Sequence, residues 1–336
     1  MEAGATNCQF RLAARPEGLP GRDCWEMTEE APREPDDGEA LVKVLQLSLD
    51  PAMRGWMNDV PSYVPPVGIG EVMRAIGVGQ VVKSKHERLS EGDFVTGLFG
   101  IQEYATLPGD GLTPIDADLA PLATYLNVLG MPGMTAYFGL LDIGQPQPGE
   151  TVVVSGAGGA VGATVGQIAK IKGCRAVGIA GGPEKCQMLI DDFGFDAAID
   201  YKNDELLPAL REKCPNRVNV FFDNVGGEVL DAVLARLARH ARIAICGAVS
   251  QYNESTMRGP SNYMALLVRR ARMEGFVVFD YAARYAEAAR EMGGWMAEGK
   301  LKGAEHVVDG IEAFPETLNM LFRGENTGKL VLRVAS

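Results

Sequence analysis

The stretch TVVVSGAGGAVGATVGQIAK, from Thr151 to Lys170, constrains the fold of this 336-residue chain more than any other part of it. It opens on a run of β-branched residues, passes through a cluster of glycines, and then carries apolar side chains at helical spacing. A short apolar run bounded by turn residues predicts a strand, and helical periodicity predicts a helix. The segment therefore predicts a buried strand, a tight turn and a helix in direct succession.

The glycines of this turn follow a recognisable spacing. Gly156, Gly159 and Gly162 are three residues apart, with Gly158 between the first two, so the pattern is a variant of GxGxxG. Small residues here let the backbone approach a pyrophosphate and let the helix pack on the strand, while the helix N-terminus attracts phosphate. A glycine-rich turn alone also suits a purely structural role, but the strand before it and the helix after it favour a dinucleotide site.

Five more strand candidates follow the first, each separated from the next by a predicted helix. They lie at 175–180, 197–200, 218–224, 241–247 and 274–279. Apolar residues at helical spacing from Tyr281 to Met296, Tyr285 among them, predict one apolar helix face after the last strand. Apolar strands that alternate with helices predict a parallel sheet covered on both faces, and six strands suit a complete doubly wound Rossmann fold.

The first 120 residues have a different rhythm. Short apolar runs at 40–49, 77–84 and 93–100 are separated by Gly, Pro and Asp, which is typical of a β-rich domain, and residues 58–72 read as a loop. The tail from Lys300 predicts a strand, a helix and a final strand. The predicted architecture is α/β, with a nucleotide domain at 126–299 inserted into a split β-rich substrate domain at 1–125 and 300–336.

Composition excludes several classes of partner. The formal net charge of −12 disfavours nucleic acid, which needs clustered Lys and Arg. The six cysteines and three histidines show no metal-ligand spacing, the N-terminus lacks the apolar core of a signal peptide, and apolar runs are too short to span a membrane. These features predict a soluble cytoplasmic protein with no metal and no membrane partner.

The second predicted strand distinguishes between the two nicotinamide dinucleotides. It reads RAVGIAGGPEKC, and no carboxylate lies at its end, where NAD-type sites place an acid for the ribose 2′-hydroxyl. The glycine pair leaves room for a 2′-phosphate, and Lys185 offers a positive charge, although it also suits a solvated surface. No GxSxG motif or His-based triad is present, so the reaction should use the cofactor's own chemistry.

Several motifs together resemble one family. They are LSLDPAMRGWM (47–57), SYVPPVGIGEVMRA (62–75), LGMPGMTAYFGLLDIG (129–144), FFDNVGGE (221–228), ICGAVSQYN (245–253), GFVVFDY (275–281) and ENTGKLVL (325–332). With the glycine turn, they make the chain similar to the zinc-independent medium-chain dehydrogenase/reductases, in the alkenal/one oxidoreductase group that includes prostaglandin reductase (leukotriene B4 dehydrogenase) and curcumin reductase. The resemblance covers nearly the whole chain.

The resemblance implies a GroES-like first domain and NADPH-dependent reduction of the carbon–carbon double bond of α,β-unsaturated aldehydes and ketones. It also implies a homodimer formed through the nucleotide domain. Zinc-dependent relatives carry a GHE motif, whereas the corresponding segment here is GIGEVMRAIGVG (68–79), so both zinc sites are expected to be absent.

By family position, the resemblance implies a cofactor site and a substrate pocket. The implied cofactor contacts are Gly159, Ala160, Val161, Gly162, Lys185, Tyr201, Asn224, Cys246, Gly247, Tyr252, Phe276, Val277, Val278 and Asn326. Among them, Lys185 and Tyr201 would hold the 2′-phosphate end. Met131 would pack the nicotinamide and the substrate, and Tyr63 in the SYVPP loop would line the substrate entrance.

The reaction requires a hydrogen-bond donor, because hydride attack at the β-carbon produces an enolate that must then be protonated at the α-carbon. The candidates are Tyr252, just past the end of a predicted strand, and Tyr263, on the following helix. The cofactor's ribose hydroxyl is an alternative donor. Two other functions stay open at this point: an NADPH:quinone oxidoreductase of the same superfamily, and a non-catalytic NADPH-binding sensor or structural protein.

Overall fold

A computed structural model of the chain describes residues 5–335. These residues divide into two compact units, and the second is inserted into the first along the sequence. The first unit takes in the residues up to Leu126 and those from Glu305 onward, and the second spans Asn127–Ala304. The domain limits predicted at residues 1 and 336 lie outside the described residues.

The first segment of the first unit is mostly strand. Its elements are β1 (Asn7–Leu12), β2 (Trp25–Glu30), β3 (Glu39–Ser48), α1 (Ala52–Trp56), β4 (Gly77–Ser84), β5 (Phe94–Gly97), β6 (Tyr104–Pro108) and β7 (Thr113–Ile115). The inserted unit follows with α2 (Met131–Phe138), β8 (Thr151–Ser155), α3 (Ala160–Ile171), β9 (Arg175–Ala180), α4 (Pro183–Asp191), β10 (Ala197–Asp200), α5 (Leu206–Lys213), β11 (Val218–Asp223), α6 (Gly227–Leu234), β12 (Leu237–Ile245), α7 (Met264–Arg269), β13 (Arg272–Gly275) and α8 (Tyr285–Ala297). The chain then returns to the first unit with β14 (Glu305–Asp309), α9 (Phe314–Arg323) and β15 (Lys329–Arg333).

The first unit is built on a sheet that joins both of its sequence segments. The strand order is β14-β15-β3-β4-β5-β7, with β6 paired to β3, and every pairing except β14–β15 is antiparallel. The predicted strand at 77–84 coincides with β4, but the one predicted at 93–100 is too long. β5 stops at Gly97, where its pairing with β4 ends, and Gly100 has a positive φ of 78° that turns the chain.

The second unit is a six-stranded parallel sheet with the order β10-β9-β8-β11-β12-β13. This order is that of a complete doubly wound dinucleotide fold, and it reverses direction between β8 and β11. All five residues of β8 are buried. Val152 and Val154 belong to one apolar cluster and Val153 to another, because successive side chains of a strand point to opposite faces. Helices therefore cover both faces, and the predicted fold class is confirmed.

Two predicted strands in this unit are placed too late. The strand predicted at 241–247 is β12, Leu237–Ile245, which begins four residues earlier. The sequence predicted a strand over 274–279, whereas β13 covers Arg272–Gly275 and a 3₁₀ helix follows at Val278–Arg284. β13 pairs with β12 up to Ile245, the last residue of β12, so its ladder ends at Gly275. The apolar run after it packs by side-chain contacts instead.

Within residues 5–335, none of the helices has the length and apolar character needed to span a bilayer.

Candidate functional site

The glycine turn lies where β8 meets α3, at the carboxyl edge of the parallel sheet. Gly156 has a positive φ of 59°, and Gly159 precedes the first residue of α3, Ala160. A Cβ on Gly162 would lie 2.7 Å from the Cα of Ala157, and nearer still to the carbonyl oxygen of Gly156. The N–H groups of a helix's first turn have no intrahelical acceptor. This turn thus offers donors at a helix N-terminus, as pyrophosphate binding requires.

A polar network joins this turn to the end of β11. Ser155 Oγ donates to Asp223 Oδ1 at 2.7 Å and accepts from the Asn224 N–H at 2.8 Å. Asn224 Nδ2 donates to the carbonyl of Ser155 at 2.7 Å, so this side chain is held beside the glycine turn. Burial raises the pKa of Asp223. Hydrogen bonds to its carboxylate, including one from the N–H of Gly226, lower the pKa but do not outweigh burial. The network fixes the two strands on either side of the switch point.

The loop after β12 is tied to the same place. The N–H groups of Cys246 and Gly247 both donate to the carbonyl of Asp223, at 2.9 and 3.1 Å. Burial, reinforced by the nearby Asp223 carboxylate, raises the pKa of the Cys246 thiol to about 12, so the thiol is protonated at neutral pH. The Tyr252 side chain folds back over this loop, and its hydroxyl accepts a hydrogen bond from the N–H of Ala248 at 3.3 Å. The structure therefore brings Asn224, Cys246, Gly247 and Tyr252 together.

The side chains of Tyr201 and Lys202 crowd the end of β9, where NAD-type sites place an acid. A Cβ on Gly181 would lie 2.8 Å from the ring of Tyr201 and 3.0 Å from Cε of Lys202, so a side chain there would require these two exposed side chains to move. Lys185, in the first turns of α4, packs its stem along the glycine turn, 3.2 Å from where a Cβ of Gly158 would lie. Burial, and then the charge of Lys202, lower the pKa of Lys185.

Met131 and the segment after β13 are linked through one tyrosine. The Tyr285 hydroxyl donates to the carbonyl of Val278 at 2.9 Å and lies 3.7 Å from the Met131 sulfur. The Phe276 ring packs edge-on to Phe222, with centroids 6.1 Å apart. Sequence reasoning missed Tyr285 as a functional residue and placed it only on an apolar helix face.

Three predicted residues remain, one in the second unit and two in the first. Tyr263 immediately precedes α7 and is 60% exposed. Tyr63 and Asn326 belong to the first unit. Tyr63 is 55% exposed on the 58–72 loop, whereas Asn326 is buried and donates from Nδ2 to the carbonyl of Gly328 at 2.9 Å.

Comparison with known proteins identifies the family. The family described as "N-terminal domain of oxidoreductase" matches residues 8–115, and the one described as "Zinc-binding dehydrogenase" matches residues 160–294. The NADPH-dependent curcumin reductase of Escherichia coli is 45% identical over 335 residues, which cover 98% of this chain and 97% of the relative. The chain belongs to the medium-chain dehydrogenase/reductases.

Two further matches place it within this family. The NADP(+)-dependent 2-alkenal reductase of Nicotiana tabacum is 42% identical over 300 residues, or 88% of each chain. The crystal structure of CurA from Vibrio vulnificus in complex with NADPH superposes with a TM-score of 0.93 at 44% identity, covering 99% of this chain and 100% of that one. The predicted membership of the alkenal/one oxidoreductase group of the medium-chain dehydrogenase/reductases is confirmed, and with it the combination of Rossmann and GroES-like domains.

The question of zinc is separate from family membership, since this family includes zinc-dependent members. Residues 5–335 contain no group of three or more His, Cys, Asp and Glu side chains suited to a metal ion. In the GIGE segment, the Gly68 N–H donates to Glu71 Oε2 at 2.8 Å, and Ile69 is 56% exposed. A metal-free site stays a prediction, which metal analysis of the purified protein can test.

Proposed function

We propose that this protein is an NADPH-dependent reductase of the carbon–carbon double bond of α,β-unsaturated aldehydes and ketones. One observation carries the proposal: the chain aligns along nearly its whole length with a curcumin reductase and a 2-alkenal reductase. A 2-alkenal is an α,β-unsaturated aldehyde, so the second relative's substrate defines the reacting group. The residues of the glycine turn and Lys185 suit the cofactor that both relatives' names specify.

The proposed cofactor contacts are those that the resemblance implies. Gly159 immediately precedes α3, and Ala160, Val161 and Gly162 form its first turn. Lys185 lies in the first turn of α4, and Tyr201 immediately follows β10. The loop residues Asn224, Cys246, Gly247 and Tyr252 and the segment from Phe276 to Val278 would hold the nicotinamide half, with Asn326 from the first unit. When bound, NADPH supplies the hydride for the β-carbon of the substrate.

We propose Tyr252 as the donor that stabilises the resulting enolate. Its hydroxyl accepts a hydrogen bond from the N–H of Ala248 at 3.3 Å, which holds it at the loop that follows β12. Its loop is fixed to the end of β11 by the N–H groups of Cys246 and Gly247. Tyr263 is the weaker candidate, because its exposed position places it in water. Met131 and Tyr63 are proposed to line the substrate pocket.

The assay that tests this function follows loss of reduced-nicotinamide absorbance with a panel of enals, enones and quinones. We expect turnover of enals and enones with NADPH, and much slower turnover with NADH. Turnover of quinones alone would replace the proposal with a quinone oxidoreductase. Binding of NADPH without turnover of any of these compounds would favour a sensor.

We also propose that the protein forms a homodimer through its second unit. β13 lies at the edge of the six-stranded sheet, and all four of its residues are exposed. Beside it, α7 exposes Met264, Leu267 and Val268 by 52%, 68% and 60%. An exposed edge strand with an apolar flank is a template for pairing with another chain, and a two-fold axis lets the same patch serve both copies.

Light scattering coupled to size exclusion tests the dimer. Wild type should elute with the mass of two chains, and Leu267→Glu should shift it toward one. Leu119→Glu is the matched control, since Leu119 is 74% exposed on the first unit. A monomeric wild type, or a dimer indifferent to Leu267→Glu, would contradict the proposed interface.

We propose a cytoplasmic location. All six cysteines are free thiols, which is typical of proteins kept in a reducing compartment. Cell fractionation with an antibody to the protein would test this, and recovery outside the cytoplasmic fraction would contradict it.

A further inference from the structure

We propose that Lys202 is a second determinant of NADPH selectivity, and that it acts with Lys185 on the 2′-phosphate of the cofactor. We refer to Lys185 and Lys202 as the lysine pair. The proposal deepens the proposed function, on whose NADPH dependence it rests. Sequence reasoning assigned the 2′-phosphate to Lys185 and Tyr201 alone.

The first argument is the position of Lys202 at the carboxyl edge of the sheet. β9 and β10 are neighbours, and Ala180, the last residue of β9, is paired with Asp200, the last of β10. Lys202 follows two residues later, and its Cε lies 3.0 Å from where a Cβ of Gly181 would lie. Its side chain thus covers Gly181, the first of the two glycines after β9. In dinucleotide folds this is where the adenosine ribose binds, because its 2′-substituent is read at the end of the second strand.

The second argument is that one carboxylate fixes both loops of this corner. Asp200 Oδ1 accepts from the Gly182 N–H at 2.7 Å and from the Lys202 N–H at 3.1 Å. Asp200 Oδ2 accepts from Asn203 Nδ2 at 2.7 Å. The turn that leads into Lys185 and the turn that carries Lys202 are therefore joined through a single side chain. The backbone at the root of Lys202 is held in place before any ligand binds.

The third argument is the charge balance of the corner. Within residues 5–335, no carboxylate oxygen lies within ion-pair distance of Lys202 Nζ. The pKa of Lys185 is lowered by burial and further by the charge of Lys202, and the same charge contributes to lowering the pKa of Asp200, the carboxylate that joins the two turns. A bound dianion offsets the repulsion between two cations in the free protein, and the 2′-phosphate is close to a dianion at neutral pH. A ribose hydroxyl offers no such relief.

Equilibrium binding of NADPH and NADH to the intact protein tests the inference. The dissociation constants are measured by quenching of protein fluorescence for wild type, Lys185→Ala, Lys202→Ala and the double variant. Each single variant should raise the dissociation constant for NADPH by about tenfold, which is the scale of one charge-assisted hydrogen bond. It should leave the dissociation constant for NADH within about twofold of the wild-type value. The double variant should lose most of the preference for NADPH.

Two further variants separate the specific effect from a general loss of charge or of fold. Lys300→Ala removes another exposed lysine of the same unit, one that is paired with Glu298, and should leave both constants unchanged. Lys202→Arg keeps the charge and should retain most of the NADPH affinity. 2′-Phospho-AMP should bind wild type more tightly than AMP, and this difference should shrink in Lys202→Ala.

The inference would be overturned if the ratio of the NADPH and NADH dissociation constants of Lys202→Ala equals that of wild type. Equal weakening of NADPH and NADH binding is one way in which this result could arise. Because no enone enters these measurements, they report on the lysine pair even if the protein turns out not to reduce enones. Conversely, the protein could reduce enones while Lys202→Ala keeps the wild-type ratio of NADPH and NADH dissociation constants. That result would leave the proposed function intact and remove Lys202 from the cofactor site.

Discussion

Replacing Gly162 with alanine separates the packing role of the glycine turn from its role toward a ligand. Gly162 is buried, and its Cβ would lie 2.7 Å from the Cα of Ala157, with the carbonyl oxygen of Gly156 nearer still. Both neighbours are backbone atoms, so no rotamer change relieves the clash, and α3 must move away from β8. Overpacking of this kind costs about 1–3 kcal/mol. At roughly 2–4 °C per kcal/mol for a unit of this size, Tm should fall by several degrees.

Gly159→Ala is the matched control three residues earlier. Its Cβ would have only the Gly156 carbonyl oxygen within contact range, at 3.4 Å, and its backbone (φ −93°, ψ 173°) is extended and open to alanine. The stability of this variant should equal that of wild type. Its added methyl group stands at the start of α3, where the pyrophosphate is proposed to bind, so NADPH affinity should fall.

Thermal unfolding with and without NADPH measures both effects, since a ligand that binds only the native state raises Tm. Gly162→Ala should show a lower Tm in the absence of cofactor, and Gly159→Ala should show a smaller rise on adding it. The reasoning is refuted if Gly159→Ala destabilises the apoprotein as much as Gly162→Ala does, or if Gly162→Ala leaves its Tm unchanged.

Three further predictions concern other residues. Tyr252→Phe should lower kcat by on the order of 10²-fold in steady-state assays while the Kd for NADPH stays nearly constant, as expected for loss of one oxyanion donor; an unchanged kcat would assign the donor elsewhere. Burial raises the pKa of Glu150, but hydrogen bonds from Arg242 and a backbone N–H outweigh it and leave the pKa lowered. The Glu150 carboxylate therefore stabilises the fold fully above its pKa in the unfolded chain, and this stabilisation is lost as pH falls through its lower pKa in the folded protein. The Tm difference between wild type and Glu150→Gln should vanish in acid, and a pH-independent difference would contradict this. Tyr285→Phe removes the hydrogen bond to the Val278 carbonyl and should cost about 1 kcal/mol in denaturant unfolding and raise KM more than it lowers kcat; unchanged kinetics would make Tyr285 a purely structural residue.

The central βα units were predictable because their signals are local. β8, β9 and β10 begin and end at the residues that the sequence indicated, since each is a short apolar run closed by glycine or by a polar turn. The steric need for Gly162 was also readable from spacing alone. β13 was misplaced because its end depends on the register with β12, which no local pattern in 272–279 reveals.

The parts of the site that escaped prediction depend on contacts between distant segments. Lys202 was not among the residues predicted from sequence, and only the pairing of β9 with β10 places it over Gly181. Tyr285 looked like one residue of an apolar helix face, yet its hydroxyl connects Met131 to the segment after β13. Such roles are set by tertiary geometry rather than by sequence period, so they become visible only in the folded chain.

The most direct test of the reductase assignment is the fate of the transferred hydride. The protein is incubated with NADPH that carries deuterium at the transferable position and with an α,β-unsaturated ketone, and the product is examined by NMR and mass spectrometry. The account predicts a saturated ketone with deuterium on the β-carbon and a solvent proton on the α-carbon. An allylic alcohol with deuterium on the carbinol carbon, or an unreacted enone, would contradict it.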